Sequence, residues 1–462
     1  MCIRSNLTSF VVAALVITTI GVLAEAGSRR TRREARRHWR DCCPTWECIP
    51  QNCPPNAIFR PPVPDPDARP TGLSTERAII PREVPVSAEG RAVAAANNAF
   101  AFDLYRRIAE GEGNRFFSPI GISMGLALLS TGAADETRQQ ILDIAHLQLT
   151  ESEMRRGFAD LNTRFASGGN GYQLRLANRL WLHKDFPLVP QFAGTARHDF
   201  GAEPGTVNFN DPAAARETIN RWGAEKTEGR IAELLSPTSL NEKTRFVLTS
   251  GIYFKGNWKY QFVPAATSDA PFHVTPDRDA TTPMMHQTGA HQYGETADLQ
   301  ILELPYAGEQ VSMVVLLPRK VDGLPALEAS LSAESLAKWL AGMQEEGEVE
   351  IHLPKFTFTS QVPLKDELSS LGMPRAFRDD AQFPSISAEH GQKLNEALQQ
   401  AFIDVNEEGT EAAAVTGFVG GDAPSPVPRY VLFKADHPFV FLIRDMRSGA
   451  ILFLGRVVEP KA

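Results

Sequence analysis

The chain has 462 residues, 43% of them hydrophobic and 22% charged, with a formal net charge of -8 at neutral pH. That length and apolar content suffice for a large buried core and leave the number of domains open. The acidic balance argues against nucleic acid as a partner, because a phosphate backbone would be repelled.

The first 26 residues carry Arg4, an apolar run from Phe10 to Leu23, and then Ala24-Glu25-Ala26. A basic start, a short apolar stretch and a small-x-small end make a secretory signal. The run is 14 residues long, short of the ~18 that a membrane anchor needs. An exported protein is expected, extracellular or periplasmic if the source is bacterial, with no membrane segment after residues 1–26 are removed.

Residues 27–85 read as an N-terminal arm. Arg29 to Arg40 is rich in arginine, which suits either a polyanion contact or a solvated linker. Nine prolines between Pro44 and Pro70 keep that stretch extended. Cys42, Cys43, Cys48 and Cys53 cluster in this arm, and no cysteine lies beyond them. In an exported chain such a set reads as two local disulfides, Cys42 or Cys43 with Cys48 or Cys53. The zinc alternative wants histidine support, and only His38 is near.

From about Val86 the texture becomes that of folded protein, and residues 86–460 are taken as one large domain. Ala96, Phe100, Leu104 and Ile108 recur at every fourth position, one stripe of an amphipathic helix. Ser118-Pro119 predicts a capped helix start running through Ser130. Strands are expected at Ile301–Leu304, Val311–Leu317 and Glu348–Leu353, and the apolar segments Phe439–Ile443 and Ile451–Leu454 flank the turn Arg447-Ser448-Gly449, a hairpin signal. Helices first and mainly antiparallel strands later make the fold class α+β.

Between these blocks, Glu407 to Arg429 has a different chemistry. Gly409-Thr410-Glu411-Ala412-Ala413-Ala414-Val415-Thr416-Gly417 is small and uncharged except at Glu411, and Pro424, Pro426 and Pro428 come after it at alternate positions. Three alanines favour a helix, which the flanking glycines and Val415-Thr416 oppose. Side chains this small can lie outside as a loop or slide between two strands.

Phe402-Ile403-Asp404-Val405-Asn406-Glu407-Glu408-Gly409-Thr410-Glu411-Ala412-Ala413-Ala414 resembles the hinge of the serpins, and Phe433 to Phe441 resembles the strand that succeeds a serpin reactive loop. Phe116-Phe117-Ser118-Pro119, Tyr253-Phe254-Lys255-Gly256-Asn257-Trp258, Glu303-Leu304-Pro305-Tyr306 and Leu353-Pro354-Lys355-Phe356 fall in the family's order. The resemblance covers about Val86 to Pro460. It implies a single large domain with a main mixed β-sheet, further sheets, about eight to nine helices and an exposed reactive loop at about 407–429. It also implies a protease inhibitor rather than an enzyme: a suicide substrate that holds a serine or cysteine endopeptidase in a covalent acyl complex while the cut loop inserts into the main sheet. Such an inhibitor is expected to act as a monomer and without a cofactor.

The implied hinge residues are Glu407, Gly409, Thr410, Glu411, Ala412, Ala413, Ala414, Val415 and Thr416, and the hinge is expected to contribute little to native stability. Trp258 falls in the breach. Where serpins commonly place serine, asparagine and histidine in the shutter beneath the sheet, this chain has Gly121, Ser250 and Gln399. The family's spacing from Gly409 puts the reactive bond at Ala423-Pro424, suiting a small, elastase-like pocket. Pro424 lacks a backbone N–H and has a fixed φ, so Asp422-Ala423, suiting a protease that accepts an acid, stays open.

Two other readings remain. A serpin can be non-inhibitory, a carrier or chaperone, although such members usually carry bulky or charged hinge residues. Gly121-Ile122-Ser123-Met124-Gly125 matches the nucleophile elbow of serine hydrolases, but Ser118-Pro119 already starts a helix before Ser123. No metal-ligand spacing is visible among the ten histidines.

Overall fold

The computed structural model describes residues 85–166, 171–387, 389, 392–410 and 431–461. The readings of the signal, arm and cysteines, and of the loop at 411–430 with its reactive bond, lie outside the described residues.

In chain order, α1 (Ala88–Ile108), β1 (Arg115–Phe117), α2 (Pro119–Gly132), α3 (Asp135–Ile144) and α4 (Glu151–Ala166) come first. The middle group is β2 (Tyr172–His183), α5 (Pro190–Phe200), β3 (Gly205–Val207), α6 (Pro212–Lys226), β4 (Phe246–Asn257), β5 (Ser268–Thr275), β6 (Arg278–Glu295), β7 (Leu299–Pro305) and β8 (Val311–Pro318). The last group is α7 (Leu324–Ser330), α8 (Ala333–Ala341), β9 (Gln344–Pro354), β10 (Phe356–Pro363), α9 (Leu364–Leu371), β11 (Glu396–Val405), β12 (Gly409–Thr410), β13 (Val431–Lys434), β14 (Phe439–Asp445) and β15 (Ile451–Val457).

Local chemistry explains the helix starts. Ser87 caps α1 by accepting the Gly90 amide at 2.9 Å, and the stripe Ala96, Phe100, Leu104 and Ile108 is buried. Ser118 caps α2, with Pro119 in its first turn, where a missing N–H costs nothing. The α2 sequence has no polar face, so the helix is buried nearly all round.

Among the described residues the strands form two sheets. One runs β1-β15-β14-β8-β7-β6-β9-β13 with β5 added on β6, and the other runs β10-β11-β12-β4-β2-β3. The inner face of the second sheet lies on the main core and on α2, whose Gly125 sits against Leu248 of β4. Its outer face is covered by α6, through Ile219 and Trp222 packed with Trp181, Val247 and Leu398. Helices and strands alternate more than the sequence suggested, because β2 and β4, each 12 residues long, precede the strands expected from pattern. β4 is buried on both faces almost throughout, and such a run carries no alternation to separate it from a buried helix.

Candidate functional site

β11 and β4 lie side by side in parallel from Glu396↔Val247 to Ala401↔Ile252. Beyond Ala401 they diverge, and β12 enters the gap. It pairs antiparallel with β4 at Gly409↔Asn257 and Thr410↔Gly256, and with β11 at Val405↔Thr410. The chain thus turns back at Asn406–Gly409 and starts a strand where its two neighbours part, a turn closed by the Asn406 amide donating to the Gly409 carbonyl at 2.9 Å. Gly409 holds φ at +153°, and a Cβ there would run into the Gly256 carbonyl oxygen, so the close approach requires glycine.

Side chains and backbone amides from four other segments fasten this turn and the residue after it. Trp258 donates its indole N–H to the Asn406 carbonyl at 3.0 Å, and the Trp258 and Phe262 amides donate to the carbonyls of Glu408 and Glu407, each at 2.9 Å. The Glu407 carboxylate pairs with Lys355 at 2.9 Å and accepts the Thr267 hydroxyl at 2.9 Å. Burial alone would raise the Glu407 carboxyl, but Lys355, the backbone and Thr267 outweigh it and hold it below the usual range. Thr410 is 1% exposed and its hydroxyl meets that of Tyr306 at 2.8 Å. Tyr306 in turn stacks on Trp258 with ring centroids 4.6 Å apart. Because Thr410 is already part of the sheet and its hydroxyl is buried, the expectation that the whole hinge contributes little to native stability is corrected at this residue.

Below the gap a polar bridge crosses the seam. Gln399 on β11 donates to Ser250 Oγ on β4 at 3.2 Å and to the Ser118 carbonyl at 3.0 Å, and it accepts the Ser118 amide at 2.7 Å. One amide thus ties both strands to the start of α2. A Cβ on Gly121 would collide with the Ile252 side chain and lie 2.9 Å from Ser250 Oγ. Glycine at 121 and glutamine at 399 therefore fit together: the bare backbone lets α2 approach, and the long amide spans what remains.

A family model described as "Serpin (serine protease inhibitor)" matches residues 95–460. The chain belongs to the serpin family. The bovine leukocyte elastase inhibitor is 38% identical over 378 residues, covering 80% of this chain and 99% of that protein. Human thyroxine-binding globulin, solved in complex with thyroxine, superposes with a TM-score of 0.75 at 28% identity over 81% of this chain and all of its own. Serpin48 of the insect Tenebrio molitor, described as a highly specific serpin, gives a TM-score of 0.74 at 29% identity, also over 81% of this chain and all of its own.

Two features of this serpin bear on the hydrolase and histidine readings. Ser123 lies inside α2, is buried, and donates its hydroxyl to Asn97 at 3.0 Å, so it does not stand on the exposed strand-to-helix turn that a nucleophile elbow needs. Register across β6 and β9 brings His286 beside Glu350 and His352, a grouping that histidine spacing along the chain does not show because His286 stands on a different strand. Sequence reasoning also gave no role to Tyr306, Lys355 or Thr267; the first two stand in family-like segments, and nothing in the pattern linked them to the hinge. No helix among the described residues is long and apolar enough to cross a membrane.

Proposed function

We propose that this serpin is an exported suicide inhibitor of a serine endopeptidase, extending to cysteine endopeptidases that pass through the same acyl chemistry. The observation that carries the reading is the wedge: β12 is two residues of a strand already started between β4 and β11. Continuing its register puts Ala412 between Phe254 and Ile403, Ala414 between Ile252 and Ala401, and Thr416 between Ser250 and Gln399. Alternate residues share a face, so Thr410, Ala412, Ala414 and Thr416 enter the packed inner side, where small side chains are required. From Ala414 onward the direct β4–β11 pairs must open, and a threonine hydroxyl arrives where the Gln399–Ser250 bridge was.

In the proposed sequence the protease serine attacks the carbonyl of Ala423, or of Asp422, and the ester forms as the chain beyond is released. The freed strand then inserts before water hydrolyses the ester. The thyroxine complex of a structural relative keeps the carrier reading in view, and the run of small residues after Thr410 favours inhibition over it. The signal sequence, two arm disulfides, a polyanion contact at Arg29 to Arg40 and a monomeric state complete the proposal.

Incubation with a panel of elastase-like and acid-tolerant serine proteases should give an SDS-stable complex. Mass spectrometry of the released C-terminal peptide should find its start at Pro424 or Ala423. A start before Gly420 would refute both assignments, and no stable complex with any protease cutting in 411–430 would leave the carrier reading in its place.

A further inference from the structure

β6 and β9 pair antiparallel with His286 directly opposite His352, and Glu350 stands two residues before His352 on β9, hence on the same face. All three are half-buried, with ligand atoms within 4.8 Å of one another. Glu350 Oε1 lies 2.9 Å from His352 Nε2 and 3.6 Å from His286 Nε2. Two donors bound to one tetrahedral ion at ~2.1 Å each stand about 3.4 Å apart, and these two separations bracket that value. The rings already face each other, centroids 4.7 Å apart, so small rotations of partly exposed side chains close the geometry.

We propose that His286, Glu350 and His352 form a binding site for a borderline divalent metal ion, zinc being the one that best suits two imidazoles and a carboxylate, with water completing the tetrahedron. Calcium and magnesium prefer oxygen-only shells, whereas imidazole nitrogen suits zinc, copper and nickel. The surrounding charge permits it. Lys434, opposite His352 on β13, has its ammonium held by Asp436 at 2.9 Å, which offsets that neighbouring positive charge. The site sits beside β13, the first described strand after residue 410, so an occupying ion would pin two strands of the sheet on which that strand rests. The inference does not depend on the inhibitory mechanism.

The test is calorimetric titration of the full chain with zinc, beside the His286→Ala/His352→Ala double variant and the conservative Glu350→Gln. Wild type is expected to bind one more zinc ion than the double variant and to melt higher on zinc addition, which the double variant does not. Glu350→Gln should bind at least ~10-fold more weakly, in line with the cost of removing partners from metal sites. Cobalt spectra would distinguish this site from the arm cysteines, since thiolate ligation adds intense charge-transfer absorption and nitrogen and oxygen ligands do not. Equal zinc stoichiometry and affinity in wild type and double variant, or no zinc binding by wild type, would overturn the proposal. If the metal-free double variant melts abnormally, Glu350→Gln decides, and unchanged affinity there overturns it.

Discussion

Replacing Thr416 by arginine tests insertion where the register makes its sharpest demand. In the proposed inserted strand this residue lies on the inner face between Ser250 and Gln399, which are 3% and 0% exposed. The groups around it are neutral: the Ser118 backbone, the Ser250 hydroxyl, the Gln399 amide, and Asn178, which donates to the Gly121 carbonyl at 2.9 Å. A guanidinium there has no carboxylate to pair with, and an unpaired buried charge costs several kcal/mol. If only ~3 kcal/mol of that reaches the barrier, insertion slows by about two orders of magnitude, and deacylation overtakes it. Before cleavage the direct β4–β11 pairs fill the seam, so the melting temperature should stay at its wild-type value. Titrating a susceptible protease while following the SDS-stable complex should show Thr416→Arg cleaved as a substrate, with Thr416→Ser still inhibitory. Wild-type inhibitory stoichiometry in Thr416→Arg would refute both the register and the insertion step.

Tyr306→Phe removes the partner of the buried Thr410 hydroxyl and should cost ~1–3 kcal/mol, seen as a lower urea midpoint at unchanged slope. Burial by itself would raise the Asp436 carboxyl, yet His437 and Lys434 bring it from 3.8 down to about 2. A folded value below the unfolded one adds stability above the unfolded pKa that is lost as pH falls through the folded pKa; chemical denaturation from pH 5 downward, to about 2, should therefore show a loss in wild type that Asp436→Asn lacks. Deleting residues 27–80 should leave inhibition intact and abolish retention on a heparin-like resin, a retention that salt weakens in the full chain. Loss of inhibition by the deletion without any polyanion present would place the arm within the working fold.

Residues whose role depends on their immediate neighbours were legible without coordinates. Ser118-Pro119 announces the start of α2 because capping is local chemistry, and the smallness of the residues after Gly409, on which the proposed insertion rests, is likewise a property of each side chain. The departures at Gly121, Ser250 and Gln399 were also visible, as identities that differ from the family's habit. Their mutual fit was not, since it turns on how closely α2 approaches β4. The contacts of Tyr306 with Thr410, of Lys355 with Glu407 and of His286 with His352 join residues on separate elements, and no periodicity along one element reports them. Sequence by itself determined the apolar stripe of α1, the capped start of α2 and the strands at 301–304, 311–317, 348–353, 439–443 and 451–454, because capping and local pattern report them. Tertiary structure alone decided the register of β12 between β4 and β11 and of β6 against β9, because a shift of one residue in either pairing turns every side chain to the opposite face.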